Sequence, residues 1–153
     1  MPEYLEKTAD KFTFRVAKDR LYSADGVWVF WLQPDRPGHV RVGLTDFMQQ
    51  HSGDAAFVSV KPAGTKLEVG DDLAELETVK VNLALPSPVS GTIVEVNAAL
   101  DLTPEVVNQD PYDKGWLAVI EVSKWEAERP KLLDPKAYFA VMETQVDQEL
   151  KKL

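Results

Sequence analysis

The sequence predicts a mainly β fold, a two-sheet sandwich or small barrel closed by a C-terminal helix. Three observations carry this. Short runs of branched and aromatic residues recur at roughly 8–12-residue spacing, separated by Gly, Pro and Asp turns. Apolar residues alternate within the runs, as in Leu73-Ala74-Glu75-Leu76-Glu77. The last stretch, from Asp134 onward, changes to the three-to-four spacing of an amphipathic helix. With 153 residues, 44% of them apolar and 27% charged, the chain is long enough for one real core.

The elements follow in order. Residues 1–20 form an N-terminal extension in which Phe12, Phe14 and Val16 alternate, so it is a short edge strand or a loose arm ahead of one domain over residues 21–153. Residues 27–32 are a β run, and Pro34-Asp35-Arg36-Pro37-Gly38 supplies turn chemistry before a return over residues 39–44, which predicts a hairpin. Thr45 and Asp46 are placed to cap a short helix over residues 47–51 that ends at Gly53. Strands are expected over residues 56–60, 67–69, 73–77 and 92–96. Pro86 and Pro88 force the strand after Lys80 to begin beyond them or to lie at a sheet edge. Thr103-Pro104 reads as N-cap and first residue of a helix reaching Asn108, and residues 116–122 as a long buried strand. Asp134-Pro135 opens the final helix, with Tyr138, Val141, Met142, Val146 and Leu150 on its apolar face and Lys151 and Lys152 at its negative end.

Composition excludes several functions. A net charge of −8, with 17 basic residues scattered among 25 acids, argues against binding a phosphate backbone. No continuous apolar run reaches membrane-spanning length and no signal-peptide pattern opens the chain, which points to the cytoplasm and away from the membrane. The absence of cysteine rules out disulfides, thiolate metal sites and cysteine nucleophiles. His39 and His51 lack ligand spacing, there is no Gly-rich phosphate loop, and no carboxylate pair stands out among the acids, so the chain reads as a non-enzyme with no metal site.

One residue does stand out. Glu77-Thr78-Val79-Lys80-Val81 sets a lysine at the tip of a β-turn between two strands. Five acids and one base occupy residues 66–77, so Lys80 is a cation beyond an acidic strand, held between the β-branched Val79 and Val81. That is an exposed, stiffly presented amine, suited to covalent modification.

At these residues the chain resembles the glycine cleavage H-protein family. Glu77-Thr78-Val79-Lys80 is similar to that family's Glu-Ser-Val-Lys lipoylation motif. Val42-Gly43-Leu44-Thr45-Asp46, Ser87-Pro88-Val89-Ser90-Gly91, Val94-Glu95-Val96-Asn97, Pro104-Glu105-Val106-Val107-Asn108, Asp110-Pro111-Tyr112 and Gly115-Trp116-Leu117 follow further family signatures in the same order. The resemblance implies a barrel-sandwich hybrid fold of the lipoyl/biotinyl type, lipoic acid amide-linked to Lys80, and recognition of Glu77 and the turn by the attaching enzyme. Biotinyl domains place Met on both sides of the lysine, and the lipoyl domains of 2-oxoacid dehydrogenases place Asp before it and are shorter; neither pattern is present.

One departure matters. The family's Tyr-x-x-x-His-Glu-Trp-Val segment aligns with Tyr22-Ser23-Ala24-Asp25-Gly26-Val27-Trp28-Val29, so His and Glu are replaced by Gly26 and Val27, and Phe47 stands where the family often has His or Tyr. In the family that acid helps hold the loaded arm in a surface cleft. Withdrawing a cationic aminomethyl cargo from water needs a paired carboxylate, which Val27 and Phe47 do not offer; Asp25 or Asp46 are the substitutes to consider. Val79, Val27 and Phe47 are accordingly expected to line an apolar cleft. The departure resembles the lipoate-binding proteins of sulfur-oxidising, heterodisulfide-reductase-like systems. That implies a monomeric carrier of sulfur-bound intermediates, working with a lipoate-attaching ligase or transferase and with a heterodisulfide-reductase-like complex or dihydrolipoamide dehydrogenase. The alternatives are the aminomethyl carrier of glycine cleavage and a non-lipoylated structural or regulatory module.

Overall fold

The computed structural model describes residues 3–151. Two sheets face each other across the main core. The larger contains β3 (Leu21–Tyr22), β4 (Val27–Trp31), β5 (His39–Leu44), β11 (Ala118–Val122), β10 (Gly91–Val96) and β7 (Lys66–Leu67), in that spatial order. The smaller contains β6 (Ala55–Val60), β8 (Asp72–Thr78) and β9 (Asn82–Pro86), with β8 in the middle. Val27, Val29, Val40, Val42, Leu44, Ile93 and Ile120 meet Val58, Leu73, Leu76 and Leu85 across the gap. The β9 strand lies at an edge and its last residue is Pro86, which removes one donor where no further strand needs it.

The expected hairpin forms, with β4 and β5 antiparallel and Val29 opposite Val42. The helix α1 (Asp46–Ser52) is capped as its sequence predicts: the Thr45 hydroxyl accepts from the Met48 amide, and Gly53 ends the helix at φ 90°. The cap expected at Thr103 is not made. Residues 99–102 already form α2 (Ala99–Leu102), and the Thr103 hydroxyl donates back to the Ala99 carbonyl at 3.0 Å; α3 (Val106–Gln109) starts later. The strand expected from residue 116 is shorter, beginning at Ala118, because the Leu117 amide crosses to the Val42 carbonyl and the Trp116 and Lys114 carbonyls are taken by the Asn97 side chain.

The N-terminal segment is neither a lone edge strand nor a loose arm. It folds into the hairpin β1 (Tyr4–Ala9) and β2 (Phe12–Ala17), apart from both larger sheets. Its Phe14, Val16 and Ala17 join Tyr22, Trp28, Phe47, Tyr112, Tyr138, Met142 and Val146 in a second core. The short helix α4 (Trp125–Glu128) sets Trp125 flat on Trp31, with centroids 4.7 Å apart. The closing helix α5 (Pro135–Lys151) starts where Asp134 Oδ1 accepts from the Ala137 amide at 2.7 Å. Tyr138, Met142 and Val146 are its buried face, whereas Leu150, expected there, is exposed because the second core ends one turn earlier. The side chains of Lys151 and Lys152 lie outside the described residues. Among the described residues no helix is long and apolar enough to cross a membrane.

Candidate functional site

Lys80 stands in the turn joining β8 to β9, and the turn is built around one hydroxyl. Thr78 Oγ1 accepts from the amides of Lys80 at 3.1 Å and Val81 at 3.0 Å, and donates to the Ser52 carbonyl at 2.7 Å. The Thr78 amide closes the turn onto the Val81 carbonyl at 2.8 Å. Thr78 itself is buried, so the bonds that shape the tip are shielded from water. Val79 is 94% exposed and Val81 41%. The turn therefore gives the lysine a fixed base, and its two flanking side chains are apolar.

The seat beneath the turn comes from the end of α1. The Lys80 Cδ lies 3.0 Å from where a Cβ on Gly53 would sit, so the missing side chain leaves room for the lysine stem. Asn108 of α3 steadies this corner, donating to the Gly53 carbonyl at 2.9 Å and accepting from the Ala55 amide at 2.9 Å. Lys80 Nζ makes one long contact, 3.4 Å to the His51 carbonyl, and among the described residues it has no carboxylate partner. A free amine on a stiff turn can be acylated without first breaking an ion pair. Lipoate fits this site in that sense: Lys80 supplies the amide nitrogen, and the Gly53 corner supports the stem.

Of the residues named from sequence, Glu77, Val79 and Lys80 come together and face solvent. Val27 and Phe47 do not line a cleft, which corrects the expectation. Val27 is fully buried in the main core, and Phe47 is 3% exposed, packed between Phe14 and His51 at centroid distances of 5.7 and 5.5 Å. The two outcomes have separate causes. Val27 points from β4 into the main core between the two sheets, whereas Phe47, on α1, is roofed over by Phe14 of the N-terminal hairpin, an element that periodicity within α1 could not reveal. Gly26, at φ +86°, leaves the space into which Met48 fits, its Cγ 2.0 Å from where a Cβ would lie. Asp46 is already engaged, accepting from the Arg15 amide at 2.9 Å and from Gln49 at 2.7 Å, while Asp25 is exposed.

Gly53 and Asn108 are site residues that the sequence did not single out. Asn108 had a signal, since it ends one of the family signatures; Gly53 was visible only as a helix stop. Among the described residues no group of three His, Asp or Glu side chains is placed to hold a metal ion.

A lysine held out on a tight turn of a two-sheet β fold defines a carrier-type protein, in which one amine is the working group. The comparisons narrow the class. The family model described as glycine cleavage H-protein matches residues 20–145. A glycine cleavage system H protein of Coprothermobacter proteolyticus is 45% identical over 109 residues, 71% of this chain and 84% of that protein. One from Oceanobacillus iheyensis is 40% identical over 126 residues, covering 82% and 96% of the two chains. The crystal structure of a glycine cleavage system H protein from Mycobacterium marinum superposes with a TM-score of 0.68 at 34% identity, covering 80% of this chain and 95% of that one. The chain belongs to the glycine cleavage H-protein family, whose members are non-catalytic carriers of lipoate on a lysine, and it has that family's barrel-sandwich fold.

Proposed function

We propose that this chain is a lipoyl carrier with lipoate amide-linked to Nζ of Lys80. The observation that carries the reading is the turn: a buried threonine hydroxyl fixes the backbone, and the lysine stands between two exposed valines with no carboxylate partner among the described residues. When bound, lipoate supplies a reversible disulfide and dithiol through which cargo is taken up and released. The chain's own residues orient the arm: Thr78 sets the turn, Gly53 admits the stem, and Glu77 stands beside the lysine as a recognition feature for the lipoate-attaching ligase or transferase.

The names of the relatives support glycine cleavage as the setting; in that setting the cargo is the aminomethyl group, and dihydrolipoamide dehydrogenase is among the partners. One observation favours a second reading, carriage of sulfur-bound intermediates to a heterodisulfide-reductase-like complex. The positions of the family's His and Glu hold Gly26 and the buried Val27, and Asp46 is occupied by Arg15 and Gln49. A cationic cargo withdrawn from water needs a carboxylate; sulfur on a neutral arm does not.

Intact mass of the native protein tests the carrier itself. A lipoyl increment on the wild type, absent from Lys80→Arg, is the expected result; an unmodified wild type would leave only the structural or regulatory reading. Supplying the lipoylated protein to glycine decarboxylase and aminomethyltransferase then separates the cargos. Turnover matching that of a glycine cleavage H protein supports the first, and absence of turnover from fully lipoylated protein supports the second.

A further inference from the structure

Next to Lys80 the small sheet turns a phenylalanine outward. Along β6, Ala55 is opposite Thr78 and Phe57 opposite Glu77, so Ala56 is an extra residue, a β-bulge. Unbroken alternation from the buried Ala55 would point Phe57 into the core. The bulge reverses this: Ala56 and Phe57 are both exposed, and Val58 returns to the core opposite Leu76. Phe57 is 66% exposed. It occupies one cross-strand row with Glu77 and Asn82, the outward-facing row nearest the Lys80 turn, and the next outward-facing row is Ser59, Glu75 and Ala84. This outer face thus carries one large aromatic and two free acids at the foot of the turn, with Val79 and Val81 at its tip.

We propose that Phe57, together with Val79 and Val81, is the apolar contact through which the lipoate-attaching enzyme grips the Lys80 turn, with Glu75 and Glu77 meeting a cationic rim around that enzyme's acyl site. The inference rests on the reading that Lys80 is lipoylated. Geometry selects this partner. Enzymes that use the finished arm can engage its far end at a distance from the sheet. The attaching enzyme must bring its acyl carbonyl to Nζ itself, so it must cover the residues around the turn. In that step the deprotonated Nζ attacks the carbonyl carbon of a lipoyl adenylate; the C–N bond forms, the C–O bond to phosphate breaks, AMP leaves with the electron pair, and the nitrogen gives up a second proton to become an amide. A second copy of the chain does not fit the face, since Glu75 and Glu77 would meet like charges. A large aromatic inside a polar rim matches the usual anatomy of a protein interface.

The test uses the full-length unmodified chain, a purified lipoate ligase, lipoate and ATP. Phe57→Ala is expected to lower kcat/KM for lipoyl attachment at least tenfold while kcat at saturating chain changes less than threefold, and Phe57→Leu to recover most of the loss. Because Phe57 is exposed, the urea midpoint of Phe57→Ala is expected to match the wild type. Once fully lipoylated by long incubation, the variant is expected to be reduced by dihydrolipoamide dehydrogenase and NADH within twofold of the wild-type rate. An unchanged kcat/KM for attachment overturns the proposal, as does an equal loss in the reduction step. Failure of the wild type to accept lipoate under the same conditions would instead remove the Lys80 reading on which the proposal rests.

Discussion

Thr78 decides how Lys80 is presented, because one buried hydroxyl satisfies two turn amides and ties the turn to the end of α1. Replacing it with valine keeps the shape and removes these bonds, leaving the Ser52 carbonyl and two amides short of partners. Losses of this kind cost about 1–3 kcal/mol. Thr78→Val is therefore expected to lower the urea-derived stability by that amount and to slow lipoyl attachment at Lys80, read as a mass increment against time. Serine, which keeps the hydroxyl, is expected to restore the attachment rate. Unchanged stability and rate in Thr78→Val would show that the turn does not depend on this hydroxyl.

At the scale of elements, the N-terminal hairpin and α5 act together. The matched family segment begins at residue 20, so β1 and β2 lie outside it, yet they complete the second core. Arg15 binds Asp46 at the start of α1, and Gln50, near its end, donates to the Thr13 carbonyl at 3.0 Å, so β2 runs along the helix that seats Lys80. Lys7 reaches Glu143 and Asp147 of α5 at 3.5 and 3.8 Å, while His51 contacts Glu149. These partly exposed pairs are worth little each; the buried Phe14 ring carries the packing. Phe14→Ala is expected to cost about 3–5 kcal/mol in urea unfolding, as for a buried phenylalanine, and to expose Phe47. A cost under about 1 kcal/mol, the level typical of a surface substitution, would mean that the hairpin is only laid against the fold.

Across the whole molecule, charge and buried tyrosines set the response to solvent. With a net charge of −8, and Glu75 and Glu77 exposed beside the Lys80 turn, docking to partners is expected to be electrostatic. Partner affinity should fall between low and high ionic strength, and a salt-independent Kd would contradict this. Tyr22, Tyr112 and Tyr138 meet in the second core, and burial raises the pKa of all three, that of Tyr138 to about 12. The unfolded chain ionises its tyrosines near pH ~10, before the folded chain can. The stability they contribute is therefore complete below that pH and is lost as pH rises through about 12. Urea midpoints measured from pH 8 to 12 should stay level and then drop, and a level profile throughout would place these hydroxyls in contact with water.

The sequence by itself determined the kind of protein and its working residue. Alternation and turn residues are local properties, and they specified the β4–β5 hairpin, the capped α1, the helix opening at Asp134, and Lys80 between Val79 and Val81. Tertiary structure decided what surrounds that lysine. Val27 and Phe47 are as apolar as an open cleft would require, but whether an apolar side chain is roofed over depends on elements distant in the chain, here the facing sheet for Val27 and Phe14 of the hairpin for Phe47. Phe57 reads as an ordinary strand residue until one extra residue, Ala56, shifts its register against β8 and turns it to solvent. Gly53 meets Lys80, and Asn108 braces Gly53, only because α1, α3 and the β8–β9 turn converge at one corner. Local pattern reports which way a side chain points within its element; what covers it is settled by packing between elements.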